Sequence, residues 1–261
     1  MPDDGQGADR AQIPTNLRLL LLLEEVVQAG TPVSASGLAV ALDLPKPTIH
    51  RLLVTAEEHG WLARDIDGRS YGPGYRLRKL SSNTFSSERV RSERLLVMKK
   101  LAEDVGETCN LAAPDRYGMT YLDRVETHWP LRIQLPIGTQ VPFHCTASGK
   151  MYLSSLRSDK LRRLLSWLDL ESFTDRTITN SDELEADIER IQAQQYSTDN
   201  EEFMSGMVAI AVPIKDDLGR LLSTLSIHAP TQRYGLKSLE RKLPELMSAA
   251  RQLEQLISRA N

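Results

Sequence analysis

Leu44-Pro45-Lys46-Pro47-Thr48-Ile49-His50-Arg51-Leu52-Leu53 is the stretch from which the amino-terminal fold can be read. Proline is well tolerated at the first position of a helix, so Pro47 opens one. Ile49, Leu52, Leu53 and Ala56 then fall at i, i+3, i+4 and i+7, which places them on one buried face. At 3.6 residues per turn, Thr48, His50, Arg51 and Thr55 are left on the outer arc, with Lys46 at the helix mouth. From Leu44 to Ala56 there is no acidic residue; Glu57 and Glu58 come only at the far end. Gly60 closes the helix.

Working outward, Asn16 is placed to cap a helix from Leu17 to about Gln28, which Gly30-Thr31-Pro32 ends. Ser34 or Ser36 caps a short second helix carrying Leu38, Ala39 and Leu42, and Asp43-Leu44-Pro45 makes a tight turn. Beyond Gly60, Trp61–Arg64 and Ser70–Gly72 flank Asp67-Gly68, a strong hairpin signal. Helix, helix, turn, helix and hairpin over 15–79 make a winged helix-turn-helix. Such a helix reads DNA with its amino-terminal residues. Arg51 suits a bidentate contact to guanine, Lys46 and Thr48 suit phosphate oxygens, and His50 shares their face. Arg64 and Arg69 bracket the hairpin tip, within reach of phosphate or the minor groove. The competing reading is a small helical domain with a solvated charged face.

Composition sets the frame for that reading. The chain has 261 residues, 41% hydrophobic and 26% charged, ordinary for a globular protein and unlike disordered or collagenous chains. Lys plus Arg (32) against Asp plus Glu (35) gives −3, so nucleic-acid binding has to come from local charge placement. Cys109 and Cys145 occur without metal-ligand spacing. The start Met1-Pro2-Asp3-Asp4 is unlike a cationic signal peptide, and Leu19–Leu23 is far too short to span a membrane. The expectation is a cytoplasmic protein with an unstructured tail over 1–14.

Ser81 to Ser87 is polar and serine-rich and marks the expected boundary, with a linker and linker helix over 80–98 and a second domain over 99–261. The linker helix begins near Glu88 and its pattern runs to Val105. Strands are predicted at 108–113, 118–126, 131–136, 207–214 and 220–228, and helices at 148–156, 158–168, 182–194 and 236–259. Strands at both ends with helices between imply an α+β fold, an antiparallel sheet flanked by helices. Enzyme signatures fail. A phosphate loop ending at Gly149-Lys150 needs Gly at 144 and Ser or Thr at 151, where this chain has His144 and Met151. Neither G-x-S-x-G nor H-E-x-x-H is present. His144 and Cys145 are neighbours that point apart in an extended segment, which defeats a nucleophile–base pair. His144, Cys145, His128 and Cys109 have no zinc-site spacing. The expectation is a non-enzyme without cofactor or metal.

The ordered motifs resemble a known family, the IclR-type bacterial transcription regulators. The first block is Leu44 to Leu53 followed by Gly60-Trp61-Leu62, with Pro47 where members usually carry Ser. The second is Gly138 to Lys150, and the third Tyr196 to Glu202 with Gly206 and Ile210 to Pro213. The fourth is Leu225 to Pro230. The resemblance implies a winged helix-turn-helix, a linker helix and a GAF-like effector-binding domain. It also implies homodimers or homotetramers on pseudo-palindromic double-stranded DNA. Members repress or activate, commonly in catabolism of small organic and aromatic acids. By motif position the pocket would be lined by Ala147, Ser148, Asp199, Ala209, Ser226 and His228. Ala209 stands where members that bind small 2-oxo acids have Cys, and His228 where they have Ser. A winged-helix protein–protein adaptor is the main alternative function, and a small-molecule enzyme using the pocket of the second domain ranks behind it.

The chemistry of those positions can be read beside the resemblance. Ala147-Ser148-Gly149-Lys150 opens a helix after a loop, and free N–H groups at a helix start favour a carboxylate. Ser148 and Ser226 supply donors, and His228 a donor or a positive charge. A charged His228 would make acid binding weaken from about pH 6 to 8. Asp199 suits a ligand hydroxyl or an orienting role. The plainer alternative makes Ser148 a helix cap and Asp199 a turn residue.

Overall fold

The structure, a computed structural model, describes residues 14–258 apart from 66, 86, 87, 116, 131, 133 and 134. The expected tail, residue 14 apart, and half of the expected strand over 131–136 lie outside the described residues, and residues 132, 135 and 136 are not in a strand. The chain forms two compact units, Met1–Ser87 and Glu88–Asn261.

In the first unit α1 (Arg18–Gln28), β1 (Val33–Ser34), α2 (Ala35–Ala41) and α3 (Lys46–Glu58) precede β2 (Leu62–Arg64), β3 (Ser70–Pro73) and α4 (Tyr75–Phe85). Leu22, Val26, Leu38, Ile49, Leu53 and Tyr71 build its core. The strands pair antiparallel in the order β1-β3-β2. β1 has only two residues, too few for any periodicity, and exists through the pairing of Val33 with Tyr71. Of the two serines offered as cap for α2 it is Ser34 that serves, its hydroxyl accepting from the Gly37 N–H at 3.1 Å. Asn16 does not cap α1; the cap position is Leu17, without a side-chain bond. Pro47 stands inside the first turn of α3, which begins one residue earlier at Lys46.

The serine-rich stretch read as a boundary is helical over most of its length, because α4 continues to Phe85. Its start is fixed by tertiary contacts. Gly74 donates to the Trp61 carbonyl at 2.7 Å, and Arg76 N–H to the Gly60 carbonyl at 3.0 Å. A Cβ on Gly74 would stand 2.4 Å from the Gly60 carbonyl oxygen, so only glycine permits the approach.

The second unit is one antiparallel sheet between two helical layers. α5 (Glu88–Val105), β4 (Thr108–Pro114), β5 (Met119–Val125) and β6 (Gln140–Val141) come first, then α6 (Ala147–Ser154), α7 (Ser158–Leu165) and α8 (Ser181–Gln194). β7 (Ser197–Asn200), β8 (Met207–Lys215), β9 (Leu221–Pro230), α9 (Leu236–Leu239) and α10 (Leu243–Ser258) complete it. Strand order is β6-β5-β4-β9-β8-β7. Cys109, Leu111, Ile210 and Ile227 face α5 and α10. Ala112, Tyr121, Ala209 and Ala211 face α6 and α8. The final helix expected over 236–259 is instead α9, a turn of 3-10 helix and α10. β7 reads Ser-Thr-Asp-Asn, without apolar alternation, and is a strand because β8 pairs with it.

α6 lies close on the sheet for a steric reason. The residues beneath its first turn are Ala209 and Ala211, and its lead-in loop folds back on Gly149, where a Cβ would meet the Phe143 carbonyl oxygen at 2.3 Å. Small residues let the backbones approach.

Candidate functional site

The outer arc of α3 carries Lys46, His50 and Arg51 exposed, while Ile49, Leu53 and Ala56 are fully buried. Thr48 and Leu52 are half-buried rather than fully outward and fully inward. In the hairpin, Arg69 is exposed, and Asp67 fixes the tip by accepting from the Arg69 and Ser70 N–H groups, each at 2.8 Å. Arg64 is engaged inside the unit. Its Nε and Nη2 each donate to Glu57 at 2.9 Å, Nη1 donates to the Gly68 carbonyl at 3.2 Å, and it stacks over Tyr71. It braces hairpin against helix, a link that the spacing of Glu57 and Arg64 does not announce. Arg76, over the Trp61 ring at 4.9 Å, is a further exposed cation on this unit.

In the second unit the six positions named for the pocket are all buried, and strand register gathers four of them. Asp199, Ala209 and His228 stand side by side across β7, β8 and β9, with Thr108 next on β4. Two residues along, on the same face, come Ser197, Ala211, Ser226, Asn110 and Arg124. α6 delivers Ala147 and Ser148 over this face: Ala147 packs with Ala209 and Ala211, and its carbonyl accepts from the Ser197 hydroxyl at 2.5 Å.

Ser148 is not the helix cap. Thr146 is, its hydroxyl accepting from the Gly149 N–H at 3.0 Å and donating to the Pro142 carbonyl at 2.7 Å. Ser148 lies in the first turn, 2% exposed, its hydroxyl without a protein partner. Ser226 meets His228 Nε2 at 3.0 Å and the Asn110 carbonyl at 3.3 Å. Asp199 accepts from the Glu202 N–H at 2.8 Å, closing a turn in which Glu201 has φ 64°. Burial, with Glu202 nearby, lifts its carboxyl to about 7.

His228 is not a positive charge in the ligand-free protein. Burial, and then the Arg124 guanidinium, push its pKa down to about 3, so it is neutral there from pH 6 to 8. Its depressed value does affect stability. The contribution is fully present above the unfolded value near 6.5 and is lost as pH falls toward about 3. The slope is about 1.4 kcal/mol per pH unit. Asp199, raised, runs the opposite way between its unfolded value and about 7. His228→Gln should therefore flatten the acid loss relative to wild type in urea denaturations from pH 7 to 4; identical slopes would refute the neutral buried imidazole.

Sequence reading missed Arg124, Asn110 and Tyr121. Strict alternation sends residues 121 and 124 to opposite faces of a strand. A register shift between Leu111 and Ala112 inserts an extra residue into β5, so Tyr121 and Arg124 share the α6 face. Tyr121 meets His228 edge-on at 6.3 Å and feels both Arg124 and Asp199. Sequence reading also gave Lys150 no role beyond the rejected phosphate loop. Its ammonium is 1% exposed and donates to Glu202 at 2.6 and 2.7 Å and to Asp187 at 3.0 Å. Burial alone would lower its pKa, yet the two carboxylates raise it.

His144 and Cys145 are both buried, the imidazole against the Glu171 carbonyl at 2.9 Å and the thiol pushed far up by burial. Among the described residues no group of three or more His, Cys, Asp or Glu is placed to hold a metal ion. No described helix is long and apolar enough to cross a membrane.

Comparison with known proteins covers both units. Residues 17–65 match the family described as "IclR helix-turn-helix domain" and residues 82–255 that described as "Bacterial transcriptional regulator IclR C-terminal". The chain is 35% identical over 90% of its length, and 93% of the relative's, to the "Probable transcriptional regulator SauR" of Cupriavidus necator. It is 27% identical to KdgR of Escherichia coli over 94% of this chain and 95% of that one. Among solved structures, the Thermotoga maritima IclR superposes with a TM-score of 0.62 at 26% identity, covering 92% of this chain and 97% of that one. An IclR homolog complexed with 4-hydroxybenzoate from Microbacterium hydrocarbonoxydans gives 0.61 at 25%, covering 94% and 99%.

Proposed function

The chain belongs to the IclR family of bacterial transcription regulators, and from that premise we propose how its two units divide the work. As a DNA-binding regulator of this family, it reads an operator with residues 15–79 and senses a small organic acid with residues 99–261, joined by the segment 80–98. α3 enters the major groove, Arg51 meets a base edge, and Lys46 and Thr48 meet phosphates with His50 beside them. Arg69 reaches the backbone from the hairpin tip, and Arg64 holds that hairpin in position. The reading rests on one observation, the exposed Lys46–His50–Arg51 face backed by fully buried Ile49, Leu53 and Ala56.

Arg51→Ala is expected to cost about 1–3 kcal/mol at the operator and to relax preference at one base of each half-site. Lys46→Ala should weaken all duplexes alike and lower the salt slope. Fluorescence anisotropy on operator and random duplexes at several salt concentrations reads both. Wild-type behaviour of Arg51→Ala on both duplexes would reject α3 as the reading helix.

A homodimer or homotetramer on a pseudo-palindromic operator follows from the two-fold symmetry of such sites, and the cytoplasm is where that operator lies. The effector is a small organic or aromatic acid held by Ser148 and the first turn of α6 together with Ala147, Asp199, Ala209, Ser226 and His228. The 4-hydroxybenzoate bound to a relative of the same fold supports an acid of this size. Acid and operator affinities are then coupled reciprocally.

A further inference from the structure

We propose that Arg124 and Asn110 form the anion-binding end of the effector site, and that the effector is an acid with a second acceptor group at its far end, directed at Ser148. This rests on the acid-sensing reading above and deepens it.

Two buried donors point to a missing partner. The Asn110 side chain is 0% exposed; its Oδ1 accepts from Arg124 Nη1 at 3.3 Å, while its Nδ2 has no protein partner. The Ser148 hydroxyl, 2% exposed, has none either. Buried polar groups are nearly always satisfied, and an exception calls for a ligand or water. Asn110 Nδ2 can only donate and the Ser148 hydroxyl can donate as well as accept, so a partner carrying acceptors satisfies both.

Their surroundings select an anion. Asn110 stands against the Arg124 guanidinium, whose side chain is 5% exposed and whose Nε meets the half-exposed carboxylate of Glu126 at 3.1 Å. Ser148 stands in the first turn of an eight-residue helix, where N–H groups lack intrahelical acceptors. Between them lie Ser226 and a neutral His228, able to accept or donate without repelling an anion.

Spacing argues for a ligand with two ends. Asn110 is on β4 and Ala211, beneath the first turn of α6, is on β8, with β9 between them. Adjacent strands are about 4.8 Å apart, so the two donor groups sit over positions roughly 10 Å apart. A ligand with an acceptor at each end spans that distance. A cleft of 310 Å³ lined by Arg124, Glu126, Leu135, Pro136 and Ile137 lies beside this end of the site.

The test is calorimetry on the full chain with linear mono- and dicarboxylates from acetate to adipate. Wild type should prefer a dicarboxylate to the monocarboxylate of equal length. Arg124→Gln should weaken that acid by about 10–100-fold, the range for charge-assisted hydrogen bonds. Asn110→Asp, isosteric and negative, should abolish binding, and it decides the matter if Arg124→Gln does not fold. Ser148→Ala should weaken dicarboxylates and leave monocarboxylates unchanged. Equal binding of both acid classes, or wild-type affinity in Arg124→Gln or Asn110→Asp, overturns the proposal. If Ser148→Ala alone weakens binding, the effector site stands without its Arg124 end. If wild type binds 4-hydroxybenzoate but none of these linear acids, the acid-sensing reading stands and the proposal falls; if it binds neither, both fall.

Discussion

Lys150→Ala is expected to destabilise the second unit by about 3–5 kcal/mol, the range for breaking a buried ion pair from one side. Glu202 would remain, 8% exposed and held by Lys150 at 2.6 Å in the native protein, with Asp187 and Asp199 as its charged neighbours. Burial already lifts the Glu202 pKa, and Lys150 pulls it back; without the lysine the carboxyl takes up a proton or the turn opens. That turn matters because its N–H groups hold Asp199. Lys150→Met, which restores packing but not charge, should lose nearly as much. Lys150→Met with Glu202→Gln should recover most of the loss, since a buried pair is commonly worth little net. Urea denaturation of the three variants reads this. A Lys150→Ala midpoint equal to wild type would mean that the triad is not formed in solution.

Asp123→Ala is expected to cost a similar amount, about 3–5 kcal/mol. Asp123 is fully buried on the sheet face opposite Arg124, where it pairs with Arg94 of α5, itself 7% exposed, and with Arg91 at 3.0 Å. Removing the carboxylate strips a buried guanidinium of that anion and loosens α5 from β5. Arg91→Ala, at a side chain 45% exposed, should lose only about 0–1 kcal/mol. The contrast is the measurement: comparable denaturation midpoints for Asp123→Ala and Arg91→Ala would refute the assignment of the latch to Arg94.

Local sequence determined the three helices and the hairpin that open the amino-terminal unit, and most of the later helices. The i, i+3, i+4 pattern from Ile49 to Ala56 and the Asp67-Gly68 turn act over a few residues, and α3, β2 and β3 form where they indicate. The α8 helix, expected over 182–194, forms over Ser181–Gln194 behind its Asn180 cap. β1, β7 and α4 escaped that reading because a two-residue strand, a polar strand and a serine-rich helix carry no periodic signal; each is held by contacts outside its own segment. At the proposed site, motif position picked out Ala147, Ser148, Asp199, Ala209, Ser226 and His228, all of which the fold buries. Burial decided their states, holding His228 neutral and raising Asp199. Which face Arg124 occupies was set by tertiary structure alone. One extra residue in β5 reverses the alternation, and whether a strand accommodates such a bulge depends on its register with β4, which no local pattern encodes.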